Sequence, residues 1–395
     1  MTTWTPMPGS QSSLREANSR RILDAVRHYG GITQVELSEA TGLSPATVST
    51  IVKQLLGAGV VDTKTTTRSG RRAQLVTLAR TTGLAAGVHV ANRSLRVLVG
   101  DASATVMSET LLPLPSDHRA DTTLDRAALI VVDLIEQLGA DLDELLAVGV
   151  ALAAPVSPKT GQISARGLLP AWEDIDVAEV LARRLACQVV VDNDANLGAL
   201  AESRFGAAKG CSDVVFVRAS YATGAGVVLG GKPFRGRRGI AGEIGHVEVN
   251  AGGAICQCGS RGCLNTVVGA DALIDSLRVS RGALTLRDLI DLASSGDPGC
   301  RQVISDAGAA IGTAVSGLAL AVDPERIVVG GELAETGETL LAGMRDAIGK
   351  RVMLGGPDGA EVVLASLGQK AEATGALALA IDAVPASGVM TQEAQ

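Results

Sequence analysis

The sequence predicts an α/β protein in which a small, mainly helical domain precedes a large body of alternating strands and helices. Apolar residues fill 46% of the 395 positions and aromatic residues only 2%, so the chain can form a sizeable aliphatic core. Strand-like and helix-like segments alternate after residue 83, which is typical of an α/β sheet. Ten basic and five acidic residues give the segment 1–80 a net charge of +5, whereas the remainder carries −12. This asymmetry favours a head that meets a polyanion and a body with another role.

Three helices are predicted in the basic head. Apolar residues recur every three or four positions over 14–29, which predicts a helix that the following Gly-Gly pair ends. Thr33 opens a second, short helix, QVELSEATG. Ser44 is a favoured N-cap and Pro45 suits the first helical position, so a third helix follows as PATVSTIVKQLLGAG. The tight connection between the second and third helices is typical of a helix-turn-helix.

Two β-rich runs follow the third helix and flank a basic loop, which completes a predicted winged helix-turn-helix domain over residues 14–80. Short polar side chains on the outer face of the third helix can enter a major groove, and arginines on the wing can neutralise phosphates. The candidate DNA contacts are Ser44, Thr47, Ser49, Thr50, Lys53, Arg68, Arg71 and Arg72. The alternative is a protein-interaction domain with a solvated basic face.

A cysteine cluster stands out in the body. The run GEIGHVEVNAGGAICQCGSRGC (242–263) holds Cys256, Cys258 and Cys263, with His246 upstream. Three thiolates and one imidazole form a closed tetrahedral set, so the spacing predicts one structural Zn²⁺ per chain. The alternatives are redox-active thiols and a chance cluster of cysteines. The other cysteines stand alone in apolar surroundings, where we expect small buried side chains: Cys187, Cys211 and Cys300.

The same run resembles the signature of the ROK family, which comprises repressors, open reading frames and sugar kinases. The segments VVVDNDANLGALAE (189–202) and IVVGGELAETG (327–337) resemble the family's sugar-side and late nucleotide-side motifs. The resemblance implies an actin-like, sugar-kinase-type body over 83–384, with lobes at about 83–200 and 201–384. It also implies a ligand cleft at the carboxyl ends of strands, where Asn193 and Asp194 fall.

The resemblance also implies roles for individual residues. Asp194 matches the general base of the family's kinases, and Asn193 and Glu243 match residues that bind sugar hydroxyls. His246 would bind zinc through one ring nitrogen and present the other to the sugar. Asn265 stands where the family usually has an acidic sugar contact. Without the resemblance, helix capping and surface solvation explain Asp194 and Glu243 equally well.

The sequence departs from the family's kinases on the nucleotide side. HVANR (89–93) replaces an Asp-x-Gly-Gly-Thr phosphate motif, and Ser220, Tyr221 and Ala222 replace a Gly-Thr-Gly triplet. Side chains then fill the space where bare backbone should approach phosphate. Because phosphoryl transfer depends on positioning the phosphates, we expect Asp194 to be vestigial and the protein not to be an enzyme.

These observations favour a transcriptional regulator, in particular a repressor, that binds operator DNA and responds to a sugar or sugar derivative. The alternatives are an active ATP-dependent sugar kinase with a regulatory head and a DNA-binding protein whose cleft is non-functional. Activation in place of repression stays open. No export signal and no apolar run near 20 residues was found, so we expect a cytoplasmic protein. Operators usually have paired half-sites, so we expect a homo-oligomer, a dimer or tetramer. Both chain ends, 1–13 and beyond Pro385, are expected to be loose.

Overall fold

The computed structural model describes residues 11–29, 31–68, 71–79, 83–165, 167–351 and 359–384. Most of the chain ends that were expected to be loose therefore lie outside the described residues. The described part of the head contains helices packed against a small antiparallel sheet of order β1-β3-β2. Its elements are α1 (Gln11–Tyr29), β1 (Ile32–Thr33), α2 (Gln34–Thr41), α3 (Pro45–Gly57), β2 (Val61–Arg68) and β3 (Arg71–Leu78).

Capping residues set the bounds of the helix-turn-helix. The Thr33 hydroxyl accepts a hydrogen bond from the Glu36 amide, and the Glu36 carboxylate accepts one from the Thr33 amide, which begins α2. Gly42 ends α2 in the left-handed region at φ 68°. The Ser44 hydroxyl accepts from the Thr47 amide at 3.2 Å and begins α3. The predicted winged helix-turn-helix is therefore confirmed.

The head has its own hydrophobic core, and the body contributes one residue to it. The inner face of α3 is buried, with Val48 and Val52 at most 1% exposed, and packs against Ile22 and Leu37 of the first two helices. Ala102, which follows the second strand of the body, is 5% exposed and belongs to the same cluster. The head is therefore packed directly against the body.

The first lobe of the body is built on a mixed sheet of order β6-β5-β4-β7-β8. Strands β4, β7 and β8 are parallel, and β5 and β6 extend the sheet as antiparallel hairpins. Its elements are β4 (Leu84–Val90), β5 (Ser94–Asp101), β6 (Val106–Pro113), α4 (Ala120–Gln137), β7 (Leu145–Leu152), α5 (Val177–Leu185), β8 (Gln188–Asn193) and α6 (Asp194–Phe205).

The second lobe repeats this topology, since its sheet has the order β11-β10-β9-β12-β13 with the same alternation of antiparallel and parallel pairs. The repeated α/β topology and the intervening cleft confirm the predicted fold class. The elements are β9 (Val214–Ala219), β10 (Thr223–Leu229), β11 (Lys232–Pro233), α7 (Asn265–Val268), α8 (Ala270–Arg281), α9 (Leu286–Ser295), α10 (Pro298–Val322), β12 (Arg326–Gly330), α11 (Glu338–Gly349), β13 (Glu361–Leu364) and α12 (Ala371–Ala383).

Helices α6 and α12 form a layer between the two sheets. Helix α6 packs on β9 and β10, whereas α12 packs on β4 and β7 of the first sheet. The expected second lobe, residues 201–384, includes α12, so this part of the expected division is corrected. Glycine permits this packing, because a Cβ on Gly149 would lie 1.9 Å from the Ala376 carbonyl oxygen, and one on Gly375 would lie 1.9 Å from that of Leu197.

Helix α10 is long and apolar enough, by length and composition alone, to cross a membrane, and it is the one such helix among the described residues. The expectation from the sequence that no apolar run approaches this length is therefore wrong for α10. Half of its most apolar 18-residue window is buried inside the protein. Ile304, Ile311 and Val315 are fully buried in the core of the second lobe, which accounts for the apolar composition.

Candidate functional site

Asn193 and Asp194 lie at the carboxyl end of β8, where the chain turns into α6. The Asn193 side chain caps this helix, because its Oδ1 atom accepts from the Asn196 amide at 3.1 Å. Its Nδ2 atom donates to the Ala154 carbonyl at 3.2 Å. Helix capping is thus a role of Asn193, although the sequence suggested it for Asp194 and Glu243, and Asn193 also lines the cleft between the lobes.

The cleft encloses about 600 Å³, its solvent-open part included, and polar and apolar residues of both lobes line it. Two buried polar atoms in its wall, Asn92 Oδ1 and Thr223 Oγ1, have no hydrogen-bond partner among the described residues. Buried polar atoms are normally hydrogen-bonded, so these two point to a polar ligand. The sequence had not proposed either as a contact. All five sugar-contact candidates line this cleft: Asn193, Asp194, Glu243, His246 and Asn265.

The four predicted metal ligands converge at one wall of the cleft. One ring nitrogen of His246 and the sulfur atoms of Cys256, Cys258 and Cys263 all lie within 4.8 Å of one another. The Cys258 and Cys263 sulfurs are 3.7 Å apart, and the Cys256 sulfur lies 3.5 Å from His246 Nδ1. Tetrahedral zinc with Zn–S bonds of about 2.3 Å and Zn–N bonds of about 2.0 Å places two sulfurs about 3.8 Å apart and a sulfur about 3.5 Å from a nitrogen. The cluster can therefore hold a metal ion.

The loop that carries these ligands is held by short antiparallel contacts. Backbone bridges join Ile255 to Arg261 and Glu248 to Cys263. Gly262 adopts φ 68°, and a Cβ at this position would lie 1.7 Å from the Asn250 carbonyl oxygen. No other residue type fits so close to the backbone, which explains why glycine stands directly before the last cysteine.

His246 connects the metal cluster to the cleft. Its Nδ1 atom faces the Cys256 sulfur, while its Nε2 atom lies 3.9 Å from Glu243 Oε2. Burial lowers the pKa of His246, so the ring is neutral near pH 7, the form that binds metal. Burial, and then the charge of Asp194, raises the pKa of Glu243 to about 7. Glu243 can therefore donate or accept a hydrogen bond near neutral pH.

Asn265 supports the wall of the cleft beside Gly245, in the segment that carries Glu243 and His246. Its Oδ1 atom accepts a hydrogen bond of 2.7 Å from the Thr223 amide. The side chain therefore fixes the start of β10, and the residue also lines the cleft. The predicted contact and a structural role coincide in this residue.

A buried charge network closes the base of the cleft. Arg218, on β9, places its Nε atom 3.0 Å from Glu372 Oε1 on α12 and 3.4 Å from Asp194 Oδ2. His89 Nε2 lies 3.8 Å from the same Asp194 oxygen. Each of these four residues is at most 5% exposed. Sequence reasoning missed the network, although a lone arginine in an apolar strand and a lone glutamate in an apolar helix were visible signals.

The network holds Asp194 as an anion. Burial alone raises the pKa of this carboxyl, but the charges of Arg218 and His89 outweigh burial, so the pKa lies below its usual value. Burial lowers the pKa of Arg218, yet the carboxylates of Asp194, Glu332 and Glu372 raise it beyond the ordinary arginine value. Arg218 is therefore a permanent internal cation beside Asp194.

The two segments that depart from kinase phosphate motifs meet in space. The guanidinium of Arg93 lies 5.8 Å from the centre of the Tyr221 ring, a cation–π contact. Arg93 belongs to the HVANR segment and Tyr221 to the SYATGAG segment. Side chains thus occupy the space between two segments that the family resemblance associates with bare backbone and phosphate.

The candidate DNA contacts of the head lie on its outer surface. Ser44, Thr50 and Lys53 are exposed, and Thr47 and Ser49 are partly exposed. The Thr50 hydroxyl donates to the Ala46 carbonyl at 2.9 Å. On the wing, Arg72 is exposed, and the backbones of Arg68 and Arg71 pair next to the hairpin turn. The side chains of Arg68 and Arg71 lie outside the described residues.

Comparison with known proteins identifies both parts of the chain. The model of the ROK family matches residues 85–383, and a winged helix-turn-helix DNA-binding model matches residues 15–62. The chain belongs to the ROK family. The predicted family membership and the predicted combination of domains are therefore confirmed.

ROK regulators resemble the chain over nearly its full length. The DNA-binding transcriptional dual regulator NagC of Escherichia coli K12 is 30% identical over 393 residues, covering 94% of this chain and 95% of the relative. The xylose repressor of Bacillus subtilis 168 is 26% identical over 374 residues, covering 94% of this chain and 97% of the relative.

Two solved ROK structures match different shares of this chain. One is a ROK transcriptional regulator that is a homologue of the E. coli MLC protein, with a TM-score of 0.72 and 22% identity. The alignment covers 94% of this chain and 98% of the regulator, and it supports the fold. The ROK glucokinase of Streptomyces griseus, solved with glucose and AMPPNP, has a TM-score of 0.67 and 29% identity. It covers 99% of its own chain but 75% of this one. The kinase therefore lacks a counterpart to a quarter of the chain.

Proposed function

We propose that this protein is a sugar-responsive transcriptional regulator, in particular a repressor, which binds operator DNA through its winged helix-turn-helix. The observation that carries the proposal is the pairing of Arg218 with Asp194 inside a cleft that is lined by further polar residues. The names of its full-length relatives support this function, because they include an N-acetylglucosamine repressor and xylose repressors.

The same observation argues against phosphoryl transfer. A general base must accept a proton from the sugar hydroxyl as it attacks phosphate, and a carboxylate with a lowered pKa beside an arginine is poorly suited to accept one. The contact between Arg93 and Tyr221 fills space that a nucleotide's phosphates would need. We therefore propose that the protein is not an enzyme and that Asp194 serves as a structural anion.

The cleft suits an uncharged sugar or N-acetylated sugar. Asn193, Glu243, His246 and Asn265 offer both donors and acceptors of hydrogen bonds, and Asn92 and Thr223 add two acceptors that lack partners among the described residues. Arg218 is neutralised by its three carboxylate neighbours, so it adds no free positive charge for a phosphate.

We propose that His246, Cys256, Cys258 and Cys263 hold one structural zinc ion per chain. The ion would neutralise the thiolates and fix the loop that carries His246 and, beside it, Glu243. His246 would bind through Nδ1, which leaves Nε2 toward Glu243 and the cleft.

Operator binding implies two further proposals. The protein acts in the cytoplasm, where operator DNA is found, and it forms a homo-oligomer, a dimer or tetramer, because paired half-sites need paired heads. Light scattering of the purified protein, alone and on a duplex, measures the number of chains. A monomer on a single half-site would contradict the second proposal.

A thermal-shift experiment tests the proposed ligand class. The purified protein is heated with D-glucose, D-xylose or N-acetylglucosamine, each with and without ATP and Mg²⁺. A sugar at about 100 times its dissociation constant adds roughly 2.7 kcal/mol of stability, which shifts the midpoint measurably. The proposal expects a shift with one sugar and none with ATP. A shift with ATP, together with ADP formation, would favour the kinase alternative.

A further inference from the structure

An ion pair joins the two lobes immediately behind the ligand residues. Asp192, on β8, is 2% exposed, and its Oδ2 atom accepts a hydrogen bond of 2.6 Å from Arg235 Nε. Its Oδ1 atom accepts from the Asn193 amide at 2.8 Å and from Asn196 Nδ2 at 3.2 Å. The position of Arg235 therefore fixes Asp192, which in turn fixes the turn that presents Asn193 to the cleft.

Arg235 belongs to a segment that leaves the second lobe and contacts the first. This crossing segment, residues 232–242, starts in β11 of the second sheet. Besides pairing with Asp192, it contacts the first lobe at Gly239. That glycine adopts φ 79°, and a Cβ there would lie 1.8 Å from the Val156 carbonyl oxygen. The crossing segment is thus tied to both lobes.

On its other side, Arg235 lines a groove between the body and the DNA-binding head. This junction groove encloses about 1450 Å³, its solvent-open part included. Its wall contains Tyr29 at the end of α1, Lys232 and Arg235 of the crossing segment, and Arg204 and Asp382 of the central helices. Arg204 and Asp382 are themselves paired at 3.0 Å, which joins α6 to α12 at this groove. Arg235 therefore stands between the ligand cleft and the head.

The head packs on the first lobe and faces the second lobe across a cavity, so a change in the angle between the lobes must change the surroundings of the head. On the first lobe, Ala102 lies in the core of the head. On the second lobe, Lys209 and Gly210 face Ile32 and Glu39 of the head across a neighbouring cavity. A head that packs on one lobe and faces the other across a cavity can respond to the relative position of the two lobes.

We propose that the ion pair between Asp192 and Arg235 couples the occupancy of the ligand cleft to the packing of the DNA-binding head. Arg235 is a positioning residue, since it acts on Asn193 through Asp192 and on the junction groove through the crossing segment. The inference rests on the proposed function, because it states how a ligand in the cleft alters operator binding. Coupling of this kind requires two arrangements of the lobes that the ligand and the operator favour differently.

Amide hydrogen exchange of the full-length protein tests the coupling without any sugar. Arg235→Gln is compared with wild type and with Arg238→Gln, which changes an exposed arginine of the same segment. The expected result is faster exchange in Arg235→Gln at two sites, the start of α6 (194–198) and the helices and strand around the head junction (22–36). Faster exchange at 194–198 alone would overturn the proposal, because Arg235 would then act only on its own lobe contact.

Operator binding provides the second arm. A duplex selected from a random library is titrated with each protein, with and without saturating D-glucose, D-xylose or N-acetylglucosamine. In wild type and Arg238→Gln, one sugar is expected to change the operator Kd by about 5- to 150-fold. In Arg235→Gln, the ratio of the operator Kd with sugar to the operator Kd without sugar should fall toward one. Arg235→Lys, which keeps the charge, should restore part of the ratio. If the sugar changes the operator Kd of Arg235→Gln as much as that of wild type, the coupling is overturned. If no sugar changes the operator Kd of wild type, the proposed function is overturned. The exchange measurement would still decide the role of Arg235 in that case.

Discussion

Arg218 and Asp194 form a buried ion pair across the base of the cleft, with 3.4 Å between the guanidinium Nε and the carboxylate Oδ2. Arg218 comes from the second sheet, whereas Asp194 begins the helix that leaves the first sheet. The residue that would act as a base in a kinase is therefore part of the contact between lobes.

Removal of Arg218 should destabilise the protein strongly. Arg218→Met is expected to lower the free energy of unfolding by about 3–5 kcal/mol, because Asp194 and Glu372 would remain buried without a cation. Urea denaturation followed by circular dichroism measures the change. Arg287→Met is the matched control, since Arg287 pairs with Asp291 at the surface and should contribute no more than about 1 kcal/mol. Equal small losses in both variants would contradict the buried network.

The acid limb of the stability curve should depend on Asp194. Its pKa in the folded protein lies below the ordinary value of 3.8, so the folded state binds this proton less readily than the unfolded state. The resulting stability is present above the ordinary pKa and is lost as the pH falls through the folded pKa. Between about pH 5 and pH 3, wild type should therefore lose more stability than Asp194→Asn. Parallel curves for the two proteins would contradict the lowered pKa.

Removal of the metal should abolish the ligand response. Cys258→Ser is expected to lose zinc and the sugar-induced thermal shift, because binding free energies of about 10–16 kcal/mol depend on the complete ligand set. Its head should still bind DNA, since the head has a separate core. Elemental analysis and operator titration measure both properties. Cys211→Ser, which lies outside the cluster, should keep one zinc per chain, and a full zinc content in Cys258→Ser would exclude the proposed site.

Asn193 offers a way to separate helix capping from ligand binding. Serine is also a good N-cap, so Asn193→Ser should keep the stability of wild type within about 1 kcal/mol. Loss of the amide should nevertheless weaken sugar binding, by about tenfold if one hydrogen bond worth about 1.4 kcal/mol is removed. Calorimetric titration with the sugar that shifts the melting curve measures this effect. Unchanged affinity would assign Asn193 to capping alone.

The wing and the third helix should contribute phosphate contacts. Arg72→Ala and Lys53→Ala are each expected to weaken operator binding and to reduce the slope of log K against log salt by about one. Fluorescence anisotropy at several salt concentrations provides the slopes. Lys159→Ala, which removes an exposed cation of the first lobe, should leave the slope unchanged. A slope that responds equally to all three substitutions would point to non-specific electrostatics.

Local signals in the sequence sufficed for the head and for the metal cluster. The Thr33 and Ser44 caps and the left-handed Gly42 lie directly next to the helix ends that they set, so neighbouring residues alone reveal these bounds. The metal ligands lie within 18 positions, so their spacing alone predicts convergence. The family resemblance supplied the cleft and its polar residues.

Contacts between distant residues could not be predicted in this way. Arg218 and Glu372 are 154 positions apart, and nothing near either one identifies the other. Helix α12 is rich in alanine and buried along most of its length, so its sequence carries little periodicity that would reveal its place on the first sheet. The contact between Arg93 and Tyr221 likewise depends on the closure of the two lobes. Each of these features is a property of the tertiary packing.

The measurement that tests the central claim most directly is operator binding as a function of sugar and nucleotide. A fluorescent operator duplex is titrated with the zinc-loaded protein in the presence of D-glucose, D-xylose or N-acetylglucosamine, and then with ATP and Mg²⁺ added. We expect one sugar to change the operator Kd, ATP to have no further effect, and no sugar phosphate to form. Formation of a sugar phosphate, or an operator Kd that no sugar changes, would contradict the account of a sugar-responsive regulator.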